Sequence, residues 1–331
     1  MFQTITTWNF IRLESDLEKV ESDVQLRGYN RDTFLTGRFS TKIANREIEP
    51  LSVSDIADIL CPSRRDLYFK KGKNRGAVKS RKTWGRVGGQ AVQNFAFTLF
   101  KKCRGMKSIR SYQEVIREID IVSKDFGREN LRILRDLDGL KRRPDEDPYW
   151  LLKLLTYNGR AELGLRLLHT LLSRGDNREM NIEDLEITID GIKPNPVQIG
   201  INRPAKPDFI VEKHKVVGDI KTGIGGFKDH YLLTCAGYAL AYENERGEDS
   251  NIDFGIIYFF PTRYSVHAKP ISLGQVYIFP IDDDLRDWFL KTRDRAYDTV
   301  SDDSFPVFPG DKTHCPYCQF IDSCVSEGLE L

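Results

Sequence analysis

The sequence predicts an α/β fold with a mainly helical region before the sheet and a cysteine-bearing segment after it. Three observations predict it. After about residue 181, short β-branched runs (LEITIDGIK, VQIGIN, DFIVEK, KVVGDIKTG, FGIIYFFP, QVYIFPI) alternate with Pro, Gly and Asn, as successive strands do. The stretch YLLTCAGYALAYENE interrupts them with a helical pattern, and DDLRDWFLKTRDRAYDTV follows them as a charged helix. Before residue 181 the chain reads as mainly helical, with a polar stretch of no clear period after the first short helix. The expected division is 1–180, 181–285 and 286–331.

In order along the chain, a short helix is expected over residues 11–24. A second begins at Ser52 or Ser54, where VSDIADILC has a Ser/Asp cap and Ile56, Ile59 and Leu60 at helical spacing; its last turn should deliver Cys61, ahead of Pro62. Val92, Phe95, Ala96 and Leu99 mark an amphipathic helix over 89–100, and helices continue over 110–175. The 331 residues are 40% hydrophobic, ordinary for a globular chain, and the N-terminus MFQTITTWNF lacks signal-peptide character. The most apolar runs are too short to span a bilayer. A cytoplasmic, reducing location and no membrane partner are therefore expected, where cysteines at metal spacing serve as ligands more often than as disulfides.

The net charge of +1 conceals a basic stretch, RRDLYFKKGKNRGAVKSRKTWGR (64–86), with ten Lys or Arg and the single acid Asp66. A solvated loop has this composition. So does a groove following a phosphate backbone, because Tyr68, Phe69 and Trp84 offer stacking faces among Arg64, Arg65, Lys70, Lys71, Lys73, Arg81 and Lys82.

The densest chemistry is KPDFIVEKHKVVGDIKTG. Side chains alternate along a strand, so Asp219 and Lys221 share a face, with Ile220 turned into the core. A short hairpin would bring Asp208 beside them. Two carboxylates suit a hard divalent ion, Mg²⁺ or Mn²⁺, which activates water and offsets charge on a phosphate. A salt-bridged strand pair at a sheet edge would present the same residues. The last chemical feature is THCPYCQFIDSC. Cys315, Cys318 and Cys324 stand at C-x2-C-x5-C spacing among six cysteines, and a closed thiolate site needs a fourth ligand.

P-D, ten residues, then D-I-K followed by T-G resembles the PD-(D/E)XK nuclease core in its RecB-like form. That resemblance implies catalytic roles for Asp208, Asp219 and Lys221. It also implies a following helix with a Gln-x-x-x-Tyr pattern, here carrying Thr234 in place of Gln and Tyr238 in support. In RecB-like nucleases with a cysteine-ligated cluster, one cysteine lies far upstream in a Cys-Pro context. Cys61 of DILCPSRRDLYF matches it, which implies a [4Fe-4S] cluster on Cys61, Cys315, Cys318 and Cys324, with zinc as the rival occupant. Together with LRGYN near residue 26, these motifs resemble the archaeal-type CRISPR-associated exonucleases of spacer acquisition. The resemblance implies metal-dependent cleavage of DNA, chiefly at single-stranded ends, and a CRISPR integrase complex as partner. The family's metal-binding His is matched by Gln93, or by Gly89 in another register, so a slow nuclease or a non-cleaving DNA-end scaffold is the alternative. A repair nuclease of the same fold, unconnected to CRISPR, also remains open.

Overall fold

A computed structural model describes a strand at 3–6, residues 24–72, 197–201, 206–212, 215–223, 227–261 and 275–330, and scattered positions between 83 and 140. The helices expected over 11–24, 89–100 and 110–175, like Lys73, Arg81, Lys82 and Gln93, lie wholly or almost wholly outside the described residues.

Five strands of the described residues form one mixed sheet, in the order β1 (Gln3–Thr6), β5 (Gln275–Pro280), β4 (Phe254–Pro261), β3 (Val216–Gly223), β2 (Phe209–Val211). β3 and β4 pair in parallel; the other neighbours are antiparallel. A parallel pair needs a crossover, and α4 (Tyr231–Arg246) supplies it between β3 and β4. α4 is buried along every residue from Tyr231 to Glu243, which explains why its apolar residues follow no single stripe. It lies between the sheet, α2 (Val53–Ala57) and α5 (Asp283–Ser301). α5 and α2 close on α4 at Gly237, where a Cβ would stand 2.5 Å from the Phe289 ring and 2.8 Å from Val53 Cγ1. The upstream α1 (Gly37–Ala44) joins this core through Phe39, which stacks on Tyr297 of α5 at 5.4 Å.

α2 starts as expected, with a reciprocal cap. Ser52 Oγ accepts from Asp55 N (3.1 Å) and Asp55 Oδ2 accepts from Ser52 N (2.9 Å). It ends sooner than expected: Asp58 is already extended (φ −80°, ψ 93°), so Cys61 sits in a separate turn instead of a last helical turn. Pro62 disfavours helical backbone at Cys61 itself, in keeping with that residue standing outside the helix. That turn is closed by Arg64 N donating to Cys61 O (2.9 Å), with Arg64 in the left-handed region (φ 61°) as it enters α3 (Arg65–Lys71).

The strand expected at VQIGIN is instead a 3-10 turn, Val197–Ile199, followed by an isolated bridge from Ile201 to Leu51. Gly200 at φ 70° breaks the extended run. The bridge is fixed by the buried Tyr297 hydroxyl, which accepts from Leu51 N and donates to Gly200 O. Ile220 is buried, but away from the main core. Val217, Ile257 and Phe259, which share the face of Asp219 and Lys221, belong to the core with α4. The carboxylates therefore stand at the rim of the main core.

Among the described residues a buried charge network joins the LRGYN segment to the core. Glu243 Oε1 and Oε2 receive Arg286 Nη2 (2.9 Å) and Nη1 (2.7 Å), Arg27 Nη1 (2.9 Å), Gly28 N (2.9 Å) and Ile252 N (3.0 Å). Arg27 Nη2 reaches Asp253 at 2.6 Å. Gly28 has to be glycine, since a Cβ there would stand 1.9 Å from Leu240 O.

Candidate active site

Antiparallel pairing of Phe209 with Gly218 carries Asp208 opposite Asp219, as the short hairpin implies. Asp208 Oδ2 accepts from Ile220 N at 2.7 Å, which fixes the carboxylate over the end of β3. Both carboxylates are buried. Lys221 Nζ lies 3.0 Å from Asp219 Oδ2 and 3.2 Å from Asp58 Oδ1, so one ammonium bridges two acids. The first contact is an ion pair off the hydrogen-bond axis, and Asp219 Oδ2 has no hydrogen-bond partner. Burial raises the Asp219 carboxyl above its usual range, more than Lys221 lowers it. Burial would push Lys221 down, but Asp219, Asp58 and Tyr238 outweigh it and hold the ammonium charged, well above the ordinary lysine value.

α4 supplies the wall. Tyr231 places its ring centroid 5.8 Å from Lys221 Nζ. Tyr238 stands near Asp219 and Asp208, its hydroxyl pushed up by burial first and by those two charges second. Thr234, in the position where Gln is the pattern, is buried with its Oγ1 lacking a hydrogen-bond partner. Gly89 packs near Thr222, whose Oγ1 is 3.4 Å from where a Cβ would stand, so this part of the chain arrives beside the end of β3.

Two neighbours of the site are illegible in the linear sequence. Asp58, in an ordinary helix-ending context, meets Lys221 across 163 positions of chain. His230, at the start of α4, feels Lys228, Asp58 and Lys221, and burial is the first cause lowering its imidazole below the usual value. No local spacing marks either residue.

The cysteine tail folds as a 3-10 turn, Cys315–Tyr317, and α6 (Ile321–Ser326). Cys315, Cys318 and Cys324 pack with Phe69, Phe308, Phe320, Ile321 and Leu329. Cys61 is their neighbour: each of the three tail thiols is raised by burial first, with the Cys61 thiol contributing among the smaller causes. Cys318 rises to about 11 and receives Phe320 N at 3.4 Å. Among the described residues, no group of three or more Cys, His, Asp or Glu side chains is converged on a metal position as it stands. The donor chemistry nonetheless fits two different groups. Four neighbouring thiols suit a thiophilic metal or cluster, and two buried carboxylates, one with an oxygen that lacks a hydrogen bond, suit a hard divalent ion.

The basic stretch divides. Arg65 is buried and turned inward, its guanidinium 4.1 Å from the Phe308 ring centroid and bonded to Pro306 O. Arg64 donates to Asp55 O and, at 3.3 Å, to Asp58 O. Lys70 pairs with Asp55 and Lys71 with Glu49. Arg86 reaches Gln319 Oε1 of the tail at 3.4 Å. Arg65 and Arg86 tie the tail segment to the helical region, whereas Arg64, Lys70 and Lys71 bond within the helical region itself.

A family model for the CRISPR-associated exonuclease Csa1 matches residues 185–327, a span that includes Asp208, Asp219, Lys221 and the tail cysteines. The CRISPR-associated exonuclease Csa1 of Saccharolobus solfataricus is 26% identical over 310 residues, covering 91% of this chain and 92% of that protein. Both similarities meet the resemblance carried by the sequence motifs: this chain resembles the CRISPR-associated exonucleases of the Csa1 kind over most of its length.

Proposed function

We propose that this protein is a divalent-metal-dependent DNA exonuclease of a CRISPR system, with a PD-(D/E)XK core, acting mainly on single-stranded ends. In this reading it trims fragments before an integrase complex inserts them, in the cytoplasm. The observation that carries it is Asp219 Oδ2, ion-paired to Lys221 but without a hydrogen bond, buried beside Asp208 at one end of the β2–β3 hairpin.

Asp208 and Asp219 would hold Mg²⁺ or Mn²⁺, with Gln93 as a further ligand. Bound there, the ion would supply Lewis acidity toward the phosphate and a lowered pKa for water. Lys221, held between two acids, orients or deprotonates the attacking water and offsets phosphate charge. Tyr238 and Tyr231 exclude bulk solvent from one side, which strengthens each charge interaction there. Cys61, Cys315, Cys318 and Cys324 would hold a [4Fe-4S] cluster, or zinc, that clasps the helical region to the tail. Because the metal-free thiols are held protonated, loading must release protons and weakens at low pH.

Anaerobically purified protein tests both halves. End-labelled single-stranded DNA with Mg²⁺ or Mn²⁺ should shorten, and Asp208→Ala should stop it. The same sample should show iron and visible absorbance. Equal persistence of DNA with wild type and variant defeats the nuclease; salt-sensitive DNA binding without cleavage then identifies an end-binding scaffold. A colourless, zinc-loaded sample replaces the cluster with zinc.

A further inference from the structure

We propose that Asp58 is a positioning residue that holds the Lys221 ammonium at the scissile phosphate, an inference resting on the nuclease reading above. Its carboxylate is 3.2 Å from Lys221 Nζ, nearly the same as the 3.0 Å to Asp219. A lysine side chain has four rotatable bonds, so a single ion pair leaves its ammonium free to swing. Two acids on opposite elements, β3 and the end of α2, define a position for it.

The backbone of Asp58 is itself fixed. Its N–H donates to Ser54 O (3.0 Å) and its carbonyl accepts from Arg64 Nη1 (3.3 Å). Arg64 also closes the turn of Cys61 through its own N–H, and its left-handed conformation holds the guanidinium back toward α2. Asp58 therefore occupies a fixed position between the turn of the upstream cysteine and the nuclease lysine. Its side chain is 40% exposed, against 6% for Asp219. An acid so accessible is not needed to fill the core. It remains open to incoming phosphate, whose negative charge it would repel were it not matched to the ammonium.

The test combines kinetics with chemistry on the lysine. Asp58→Ala and Asp58→Asn should lower kcat on single-stranded DNA on the order of tenfold while KM changes little, because the loss is one of orientation. Asp58→Glu, which keeps the charge, should recover most of it. In a Lys221→Ala background, Asp58→Ala should add less than about twofold. An equal loss in both backgrounds overturns the proposal, since Asp58 would then act elsewhere. Independently of turnover, acetylation of Lys221, followed by mass spectrometry and normalised to the exposed Lys291, should rise several-fold in Asp58→Ala; an unchanged rate also overturns it. If wild type cleaves nothing while Lys221 labelling rises, the nuclease reading fails and the positioning of Lys221 by Asp58 stands.

Discussion

Two buried charge clusters in this protein look alike in composition and differ in saturation. Around Glu243, every carboxylate oxygen is matched: two arginines and two backbone N–H groups converge on it, and Arg27 goes on to Asp253. Around Asp219 the matching is incomplete. One ammonium serves two acids, Asp219 Oδ2 lacks a hydrogen bond, and Thr234 Oγ1 has none either. A buried charge whose partners are all present fixes the chain in place. One left partly unmatched keeps capacity for something that binds later. The burial that raises Asp219 is the cost of keeping that capacity, and the difference separates scaffold from site.

The largest expected effect breaks the comparison if it fails. Glu243→Ala leaves Arg27 and Arg286 buried without their shared acceptor, so denaturant unfolding should show a loss of roughly 3–5 kcal/mol. A smaller cost than that of a substitution at Asp219 would erase the distinction.

Next comes Asp219→Asn. Its carboxyl is raised in the folded state, so at neutral pH its ionisation opposes folding, and that opposition fades as pH falls through the raised value. The neutral amide should therefore leave thermal stability within about 1 kcal/mol of wild type, while DNA cleavage falls about a hundredfold or more. Differential scanning calorimetry and the nuclease assay on one preparation separate the two.

The smallest effect concerns acids of the opposite sign. Asp55 and Asp253 are also opposed by burial first, but Lys70 and Ser52 bring the former, and Arg27 and Lys215 the latter, below the ordinary aspartate value of 3.8. Their contribution is fully present above that pH and is lost as pH falls through the lower folded values. Lys70→Ala should narrow this window for Asp55 and cost about 0.5–1 kcal/mol at pH 7, discounted because Lys70 is about half exposed. Acid titration of stability with and without the substitution measures it.

Much of the architecture was legible in linear patterns. β-branched runs predicted β2, β3, β4 and β5, and Ser52 with Asp55 predicted the start of α2, because strand alternation and capping are satisfied within a few residues. The pairing of Asp208 with Asp219 was legible for the same reason: a hairpin is local. Two expectations failed where backbone punctuation outweighed side-chain pattern. Gly200 turned VQIGIN into a bridge, and Cys61, ahead of Pro62, stands outside the helix. Within the basic stretch charge count carries no direction: Arg65 points into an aromatic cage.

By itself the sequence determined which residue types stand at short spacing: the D-I-K strand, the C-x2-C-x5-C tail and the capped helix before Cys-Pro. Only the tertiary structure decided that Glu243 saturates two arginines and that Asp58 meets Lys221. The physical reason is that these contacts join residues more than 40 positions apart. Burial of α4 against the sheet, α2 and α5 brings them together, and apolar packing specifies which surfaces meet without leaving a trace in the polar residues carried along with them.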